Sequence, residues 1–218
     1  MSELLEAAFI DSAVGGTLGL ELEAAGFLTV RPRFWVRSGT PPVRHVATLG
    51  ALKGAAYSPI WGISLDYVPH VAGRGTVKWH RTDKTARLDL TYDPVDHESD
   101  RGWDLSAFSS AAEFSGRCRA MGPQLVRAVE NFVAPLTSDV AIREAFEAKR
   151  TRPTTRFGFE NYYQNVLAYA FTLARLGETV DAESWLARYL EANEPDDEEI
   201  AAKLHRLLAE ATSRPTRA

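Results

Sequence analysis

Cysteine is almost absent from this chain: Cys118 is the single thiol among 218 residues. One cysteine excludes an intramolecular disulfide, a Cys-based zinc site and a dithiol redox pair. Long apolar runs are missing as well; none approaches the ~20 residues needed to span a bilayer. The chain opens Met1-Ser2-Glu3 with no basic n-region, and Glu6 and Asp11 interrupt the apolar residues that follow. No secretory signal is read there, so the expectation is a cytoplasmic protein without a membrane segment. Familiar catalytic signatures are lacking: there is no G-x-S-x-G, no P-loop lysine motif and no H-E-x-x-H. Gly15, Gly16 and Gly19 do not follow a strand, which excludes a dinucleotide fingerprint. No cofactor and no catalytic residue is implied, and enzymatic activity is left open. Neither charge sign dominates, since 25 basic residues meet 29 acidic ones for a formal net charge of −4.

What is present is the composition of a globular chain. Hydrophobic residues make up 45%, charged residues 25% and aromatics 10%, enough to bury a sizeable core and outside the disordered, collagenous and coiled-coil classes. Leu4, Leu5, Ala8, Phe9, Ala13, Leu18 and Leu22 recur at helical spacing, predicting a helix over 3–25 that Gly26 closes and that the glycines at 15, 16 and 19 weaken. The period then changes to two. Leu28, Val30, Phe34 and Val36 alternate with Thr29, Arg31, Arg33, Trp35 and Arg37, a half-buried strand that Pro32 confines to an edge or bulge. Further strands are expected over 43–49, 61–68, 76–81 and 86–92, with 69–75 a loop. The short links between them imply an antiparallel meander. A polar acidic connector, 93–104, leads into helices over 106–121, 123–134, 139–150, 160–176, 180–193 and 196–212, with Pro123 at the first position of the second. The fold class expected is α+β: an N-terminal helix, a five-stranded antiparallel sheet (residues 1–104), and a helical half (105–218) packed on it as one unit.

Charge is distributed unevenly along this plan. Between Arg31 and Arg87 stand ten basic residues against Asp66 and Asp83, a net +8. Between Asp181 and Glu210 nine acids face Arg188, Lys203 and Arg206, a net −6. If Leu28, Val30, Phe34, Val36, Ile63, Leu65, Val77, Trp79, Leu88 and Leu90 face the core, the other face displays Arg31, Arg33, Trp35, Arg37, Asp66, Lys78, His80, Arg87 and Asp89. Arg33, Trp35, Arg37, Lys78, His80 and Arg87 are therefore the candidate binding residues, suited to a nucleic acid, a nucleotide or an acidic protein surface. The competing reading pairs these cations with Asp66 and Asp89 across strands, or covers them with the acidic C-terminal helices.

Other constellations are weaker. Asp66, His70, His80 and Asp83 carry metal-ligating chemistry but no recognised ligand spacing. The run Asp93–Asp100 lacks the glycine and terminal glutamate of a calcium loop. Cys118 sits at helical spacing near Phe114 and Met121, as a buried structural thiol would. Arg143, Lys149, Arg150, Arg152 and Arg156, opposed by Glu144 and Glu147, read as a solvated helix end with ion pairs. Phe157, Phe159, Tyr162, Tyr163, Tyr169 and Phe171 read as packing for the helix over 160–176.

Two resemblances add to this. Residues 162–195 resemble a single tetratricopeptide-type helical hairpin: Gly177 at the turn, Ala182 five residues on, and Ala170, Leu186 and Pro195 at or beside its small, large and terminal positions. Tyr169-Ala170 stands where Leu-Gly is usual, and at least three repeats normally form an array. Residues 18–92 resemble a group of uncharacterised bacterial proteins through Gly26-Phe27, Arg33-Phe34-Trp35 and Gly62-Ile63-Ser64-Leu65-Asp66. Some members of that group look like immunity or toxin-associated proteins, so the resemblance implies binding of a protein partner and carries over no catalytic residue. The leading expectation is a macromolecule-binding factor of immunity or regulatory type. The alternatives are a metal-dependent hydrolase or nuclease, and nucleic-acid binding by the basic sheet face.

Overall fold

A computed structural model describes residues 7–52, 56–72, 76–94, 103, 105, 106, 108, 110–153, 159, 163–193 and 198–213. The helix expected over 3–25 begins, within this range, as α1 (Ala7–Val14), widens into a π-helical segment (Gly15–Gly19) and closes as α2 (Leu20–Ala24). Its buried stripe is Ile10, Val14, Leu18 and Leu22, a strict four-residue step. Such a step overshoots a 3.6-residue turn, and the wider π turn absorbs the drift so that the stripe keeps facing the core. A Cβ on Gly19 would stand 3.4 Å from the Trp35 Nε1, so the glycine lets the sheet come close. Gly26 ends the helix with φ +84°, the left-handed cap that glycine favours.

The first predicted strand is in fact a hairpin. β1 (Leu28–Arg31) and β2 (Phe34–Ser38) pair antiparallel, Leu28 opposite Val36 and Thr29 opposite Trp35. Pro32 has no N–H for a ladder, and Arg33 turns the chain at φ +60°. β3 (Val43–Leu52) and β4 (Ala56–Leu65) form the long central pair. The expected loop 69–75 contains β5 (Pro69–Ala72), which pairs with β6 (Thr76–Trp79) in a separate two-stranded ribbon. β7 (Leu90–Tyr92) completes the main sheet, whose order is β1-β2-β3-β4-β7. The fold is α+β with five antiparallel strands, as expected, but their membership differs: the first segment supplies two, and the fourth leaves the sheet. Gly62 is where β7 comes nearest, since a Cβ there would overlap the Leu90 carbonyl.

The helical half holds a second correction. The helices expected over 106–121 and 123–134 are one, α3 (Ala111–Val133), with Pro123 in its interior. Proline removes one i→i−4 hydrogen bond and disfavours the helix by about 3 kcal/mol. Phe114, Cys118, Met121, Leu125, Val129 and Val133 are buried along one face on both sides of Pro123, and this continuous burial offsets the cost. α4 (Asp139–Thr151), α5 (Tyr163–Arg175), α6 (Thr179–Asn193) and α7 (Glu198–Thr212) follow close to expectation. α5 and α6 turn at Gly177, φ +79°, where the Glu178 N–H bonds back to the Leu173 carbonyl.

One hydrophobic core joins both halves, taking in Ile10, Leu22, Trp35, Trp61 and Ile63 together with Leu125, Phe146, Phe171 and Leu204. The opposite face of the sheet is not bare. Phe34, Val36, Val46 and Ala86 form a smaller cluster there, flanked by Val30 and Leu88. The segment after β6, turned by a short 3₁₀ helix at Asp83–Thr85, supplies that cover. With apolar residues on both faces, alternation alone does not say which set meets the main core. Trp35 meets it and is 1% exposed, whereas Leu28 and Trp79, expected inside, are 60% and 37% exposed. Among the described residues no helix is long and apolar enough to cross a membrane.

Candidate anion-binding cleft

The six candidate binding residues separate into two groups. Arg33 reaches Asp11 of α1 at 2.8 Å. Trp35 is a core residue whose indole N–H has no hydrogen-bond partner, so it does not stand on an open binding face. Arg37 lies beneath α3, 2.6 Å from Glu130, while its Nη1 also donates to the Ala25 carbonyl. It covers the Phe27 ring at 4.7 Å and lies against His45, whose pKa is lowered by burial and by Arg37, with Glu130 opposing. These three residues hold the sheet to the helices.

Lys78, His80 and Arg87 remain together on the far side of the sheet. They line a pocket of about 530 Å³ with Arg31, Phe34, Thr48, His70, Trp79, Lys84, Thr85, Ala86, Leu88 and Gln164. The β1–β2 edge, the β5–β6 ribbon and residues 84–88, which cross the outer face, supply most of the wall, and Thr48 of β3 and Gln164 of α5 complete it. Four cations, Arg31, Lys78, Lys84 and Arg87, converge on this concavity, and no carboxylate is among its described lining residues. None of the four makes an ion pair among the described residues. Arg31 lies over the Phe34 ring at 4.1 Å, and Arg81 over the partly exposed Trp79 ring at 4.2 Å.

Behind the cleft lies a buried carboxylate, Asp89. Its Oδ2 accepts from the Leu65 N–H at 2.6 Å and contacts His80 Nε2 at 3.0 Å, and its Oδ1 accepts from Gln164 Nε2 at 2.7 Å. Asp89 thereby fixes the ribbon through His80 and α5 through Gln164, satisfying a charge that would be costly to bury alone. His70 packs edge-on to His80, ring centres 6.4 Å apart. Burial, reinforced by Arg87, His80 and Lys78, pushes the His70 pKa down to about 4, so its imidazole is neutral at neutral pH and keeps one donor and one acceptor. Burial also lowers the Arg87 pKa; Asp89 opposes this and Arg31 adds to it. The guanidinium stays charged.

The set Asp66, His70, His80 and Asp83 does not form a metal centre. Asp66 and Asp83 both bind Arg44, the latter at 3.0 Å from Nε, while His80 is held by Asp89. Among the described residues no group of three or more His, Cys, Asp or Glu side chains is arranged to hold a metal ion. The acidic run Asp93–Asp100 lies outside the described residues after Pro94. Cys118 is buried against Thr17, and burial pushes its thiol up to about 11, the state of an inert structural cysteine. In the second basic run, Arg143 pairs with Glu178 at 3.1 Å and Arg150 with Glu147 at 2.6 Å. Arg152 donates to the Tyr92 hydroxyl and Lys149 to the Thr91 carbonyl; Arg156 lies outside the described residues. Phe159 and Tyr169 pack with Phe146 and Trp185, whereas Phe157, Tyr162 and the Tyr163 side chain lie outside.

Among the described residues no ion pair links residues 181–210 to the basic segment 31–87; Glu194, Asp196 and Asp197 lie outside those residues, and the Tyr189 hydroxyl of α6 stands close enough to Arg87 to favour its charge. The six candidates omitted Arg31, His70, Lys84 and Gln164, which line the cleft, and Asp89, read from the alternation as displayed beside the cations, is instead buried behind them. The local signal for Lys84 was its place in the cationic run, whereas Gln164 is 75 residues from the Asp89 it supports and has no local signal. No protein-family model matches the chain, and no curated protein or solved structure matches it either.

Proposed function

We propose that this protein is a binding factor that captures an anionic macromolecule at the cleft between the β1–β2 edge and the β5–β6 ribbon. The observation that carries the reading is the convergence of Arg31, Lys78, Lys84 and Arg87 on one concavity with no carboxylate among its described lining residues. Like charges gathered in a cleft repel one another, and a complementary anion relieves that repulsion while the cleft walls focus the field on it. The immunity or regulatory role implied by the resemblance of residues 18–92 is one use of such capture.

Retention on an immobilised anionic polymer such as heparin tests this. The double variant Lys78→Glu/Arg87→Glu is expected to elute at much lower salt than the parent. The control Arg119→Glu/Arg127→Glu changes the net charge equally at exposed positions of α3 and is expected to elute nearly with the parent. Equal loss in both variants attributes retention to net charge and removes the cleft from the function.

A further inference from the structure

We propose that the cleft recognises a nucleotide, free or within a single-stranded nucleic acid, with its phosphate among Arg31, Lys78, Lys84 and Arg87 and its base against Trp79. The inference rests on the cleft being an anion site and names its ligand.

Charge stoichiometry is the first argument. An acidic side chain brings one negative charge. A terminal phosphate monoester brings up to two and offers three acceptor oxygens, and in a strand successive phosphodiesters bring one charge each at close spacing; either is a better match for four cations around a single concavity. Arginine adds geometry, because a guanidinium fork binds phosphate oxygens in pairs while lysine supplies a point charge; the cleft has two of each.

Size and surface chemistry are the second. At about 530 Å³ the pocket lies within the roughly 300–1,000 Å³ typical of small-ligand sites, and a phosphate group fills only a small part of it. Trp79 lines the same pocket and is 37% exposed, although a tryptophan is ordinarily well buried. The Arg81 guanidinium lies over its ring at 4.2 Å. Arg81 is outside the pocket's described lining and takes one face of the ring; aromatic faces are surfaces on which unstacked bases rest, and acidic side chains carry no flat ring to place against Trp79. Neutral groups at the wall, His70 and Gln164, add hydrogen-bonding capacity without further charge. None of these residues forms a base-specific pattern, so stacking and phosphate contacts dominate and sequence preference is weak.

Titration calorimetry on the full chain tests the assignment with inorganic phosphate, AMP, a short oligouridylate, a short oligothymidylate and an oligoglutamate peptide. AMP or an oligonucleotide is expected to bind about tenfold or more tighter than inorganic phosphate, the gain expected of one stacked base. Trp79→Ala is expected to remove that gain while leaving phosphate binding in place, and Lys78→Gln/Arg87→Gln to lose both with the cooperative thermal unfolding of the parent retained. Equal affinity for AMP and oligonucleotides identifies a mononucleotide site and replaces the macromolecular partner with a small one; tighter oligonucleotide binding that falls steeply with salt identifies a strand. A further readout is the His70 imidazole in an NMR pH titration, whose pKa a bound phosphate raises. The nucleotide assignment is overturned if phosphate and AMP bind alike and Trp79→Ala changes nothing. It is also overturned if only oligoglutamate binds, an outcome that leaves anionic capture standing. Silence from every probe, together with heparin retention that ignores the cleft, sinks both.

Discussion

Two sets of cations arise from the same stretch of sequence and meet opposite environments. Arg33, Arg37 and Arg44 each reach a carboxylate from another part of the chain: Asp11, Glu130, and Asp66 with Asp83. Arg31, Lys78, Lys84 and Arg87 converge on a pocket with none among its described lining. The net charge of +8 over residues 31–87 is therefore not the property of a single face. The paired cations are architectural. They fasten α1 to the β1–β2 turn, the sheet to α3, and residues 82–85 to the end of β4. The cleft cations make no ion pair among the described residues, although Arg31 lies over the Phe34 ring and Asp89 acts on Arg87 from behind, and crowding like charges together costs folding energy. A concentration of unneutralised charge at one concavity is the kind of local expense that function, rather than stability, accounts for.

The sharpest way to break this comparison is through its two tryptophans. Trp35 lies on the architectural side, 1% exposed, and Trp79 on the cleft side, 37% exposed. Trp35→Ala is expected to destabilise the fold by about 3–5 kcal/mol, as for large-to-small core replacements. Trp79→Ala is expected to change stability by less than about 1 kcal/mol. Urea denaturation followed by far-UV circular dichroism checks both. Comparable losses at the two positions would show that Trp79 is structural and that the cleft wall is part of the core.

The same two residues show how far the sequence was readable. Period-two alternation located the strands and the change to helical periodicity located the helical half, because both follow from burying one face of an element. Alternation gave Trp35 and Trp79 the wrong sides for a physical reason. The sheet is covered on both faces, so Phe34 and Val36 are buried in the smaller cluster while Trp35 enters the main core. The β1–β2 turn was hidden because Arg33, a non-glycine residue, takes φ +60°. The unbroken α3 was hidden because tertiary burial overrides the local penalty of Pro123. Of the site, Lys78, His80 and Arg87 were legible as basic or titratable residues near one another in the sequence. The carboxylates that neutralise the other cations were not, since Arg37 and Glu130 are 93 residues apart.

A second test reads the cleft's own field. His70 has its pKa pushed down to about 4 by burial and then by Arg87, His80 and Lys78, against an unfolded value near 6.5. Because the folded value is the lower one, the unfolded chain binds the extra proton first as the pH falls. The stability linked to neutral His70 is complete above about pH 6.5 and is lost progressively as the pH drops toward about 4. The expected outcome is a midpoint in urea that falls over this window. It falls less steeply in His70→Gln, which has no proton to gain, and in Lys78→Gln, whose His70 no longer faces that cation. An unchanged slope in His70→Gln would show that other groups govern the acid side.

The smallest effects give the finest distinction. Arg37→Ala removes contacts to Glu130, the Ala25 carbonyl and His45, and uncovers the Phe27 ring. Arg37 is only partly exposed, so a loss of about 1 kcal/mol is expected, above the usual worth of a surface ion pair because hydrogen bonds and packing go with it. Lys84→Ala removes a cation that has three like neighbours around the cleft and no carboxylate partner among the described residues. Its expected effect is zero or a gain of up to about 0.5 kcal/mol, largest at low ionic strength, where repulsion is least screened. Melting temperatures measured at low and high salt separate the two outcomes, since the Lys84→Ala gain shrinks with added salt as the repulsion it relieves is screened. A loss on removing Lys84 that matched the loss on removing Arg37 would mean that the cleft cations stabilise the fold, and that the division between the two sets is one of position alone.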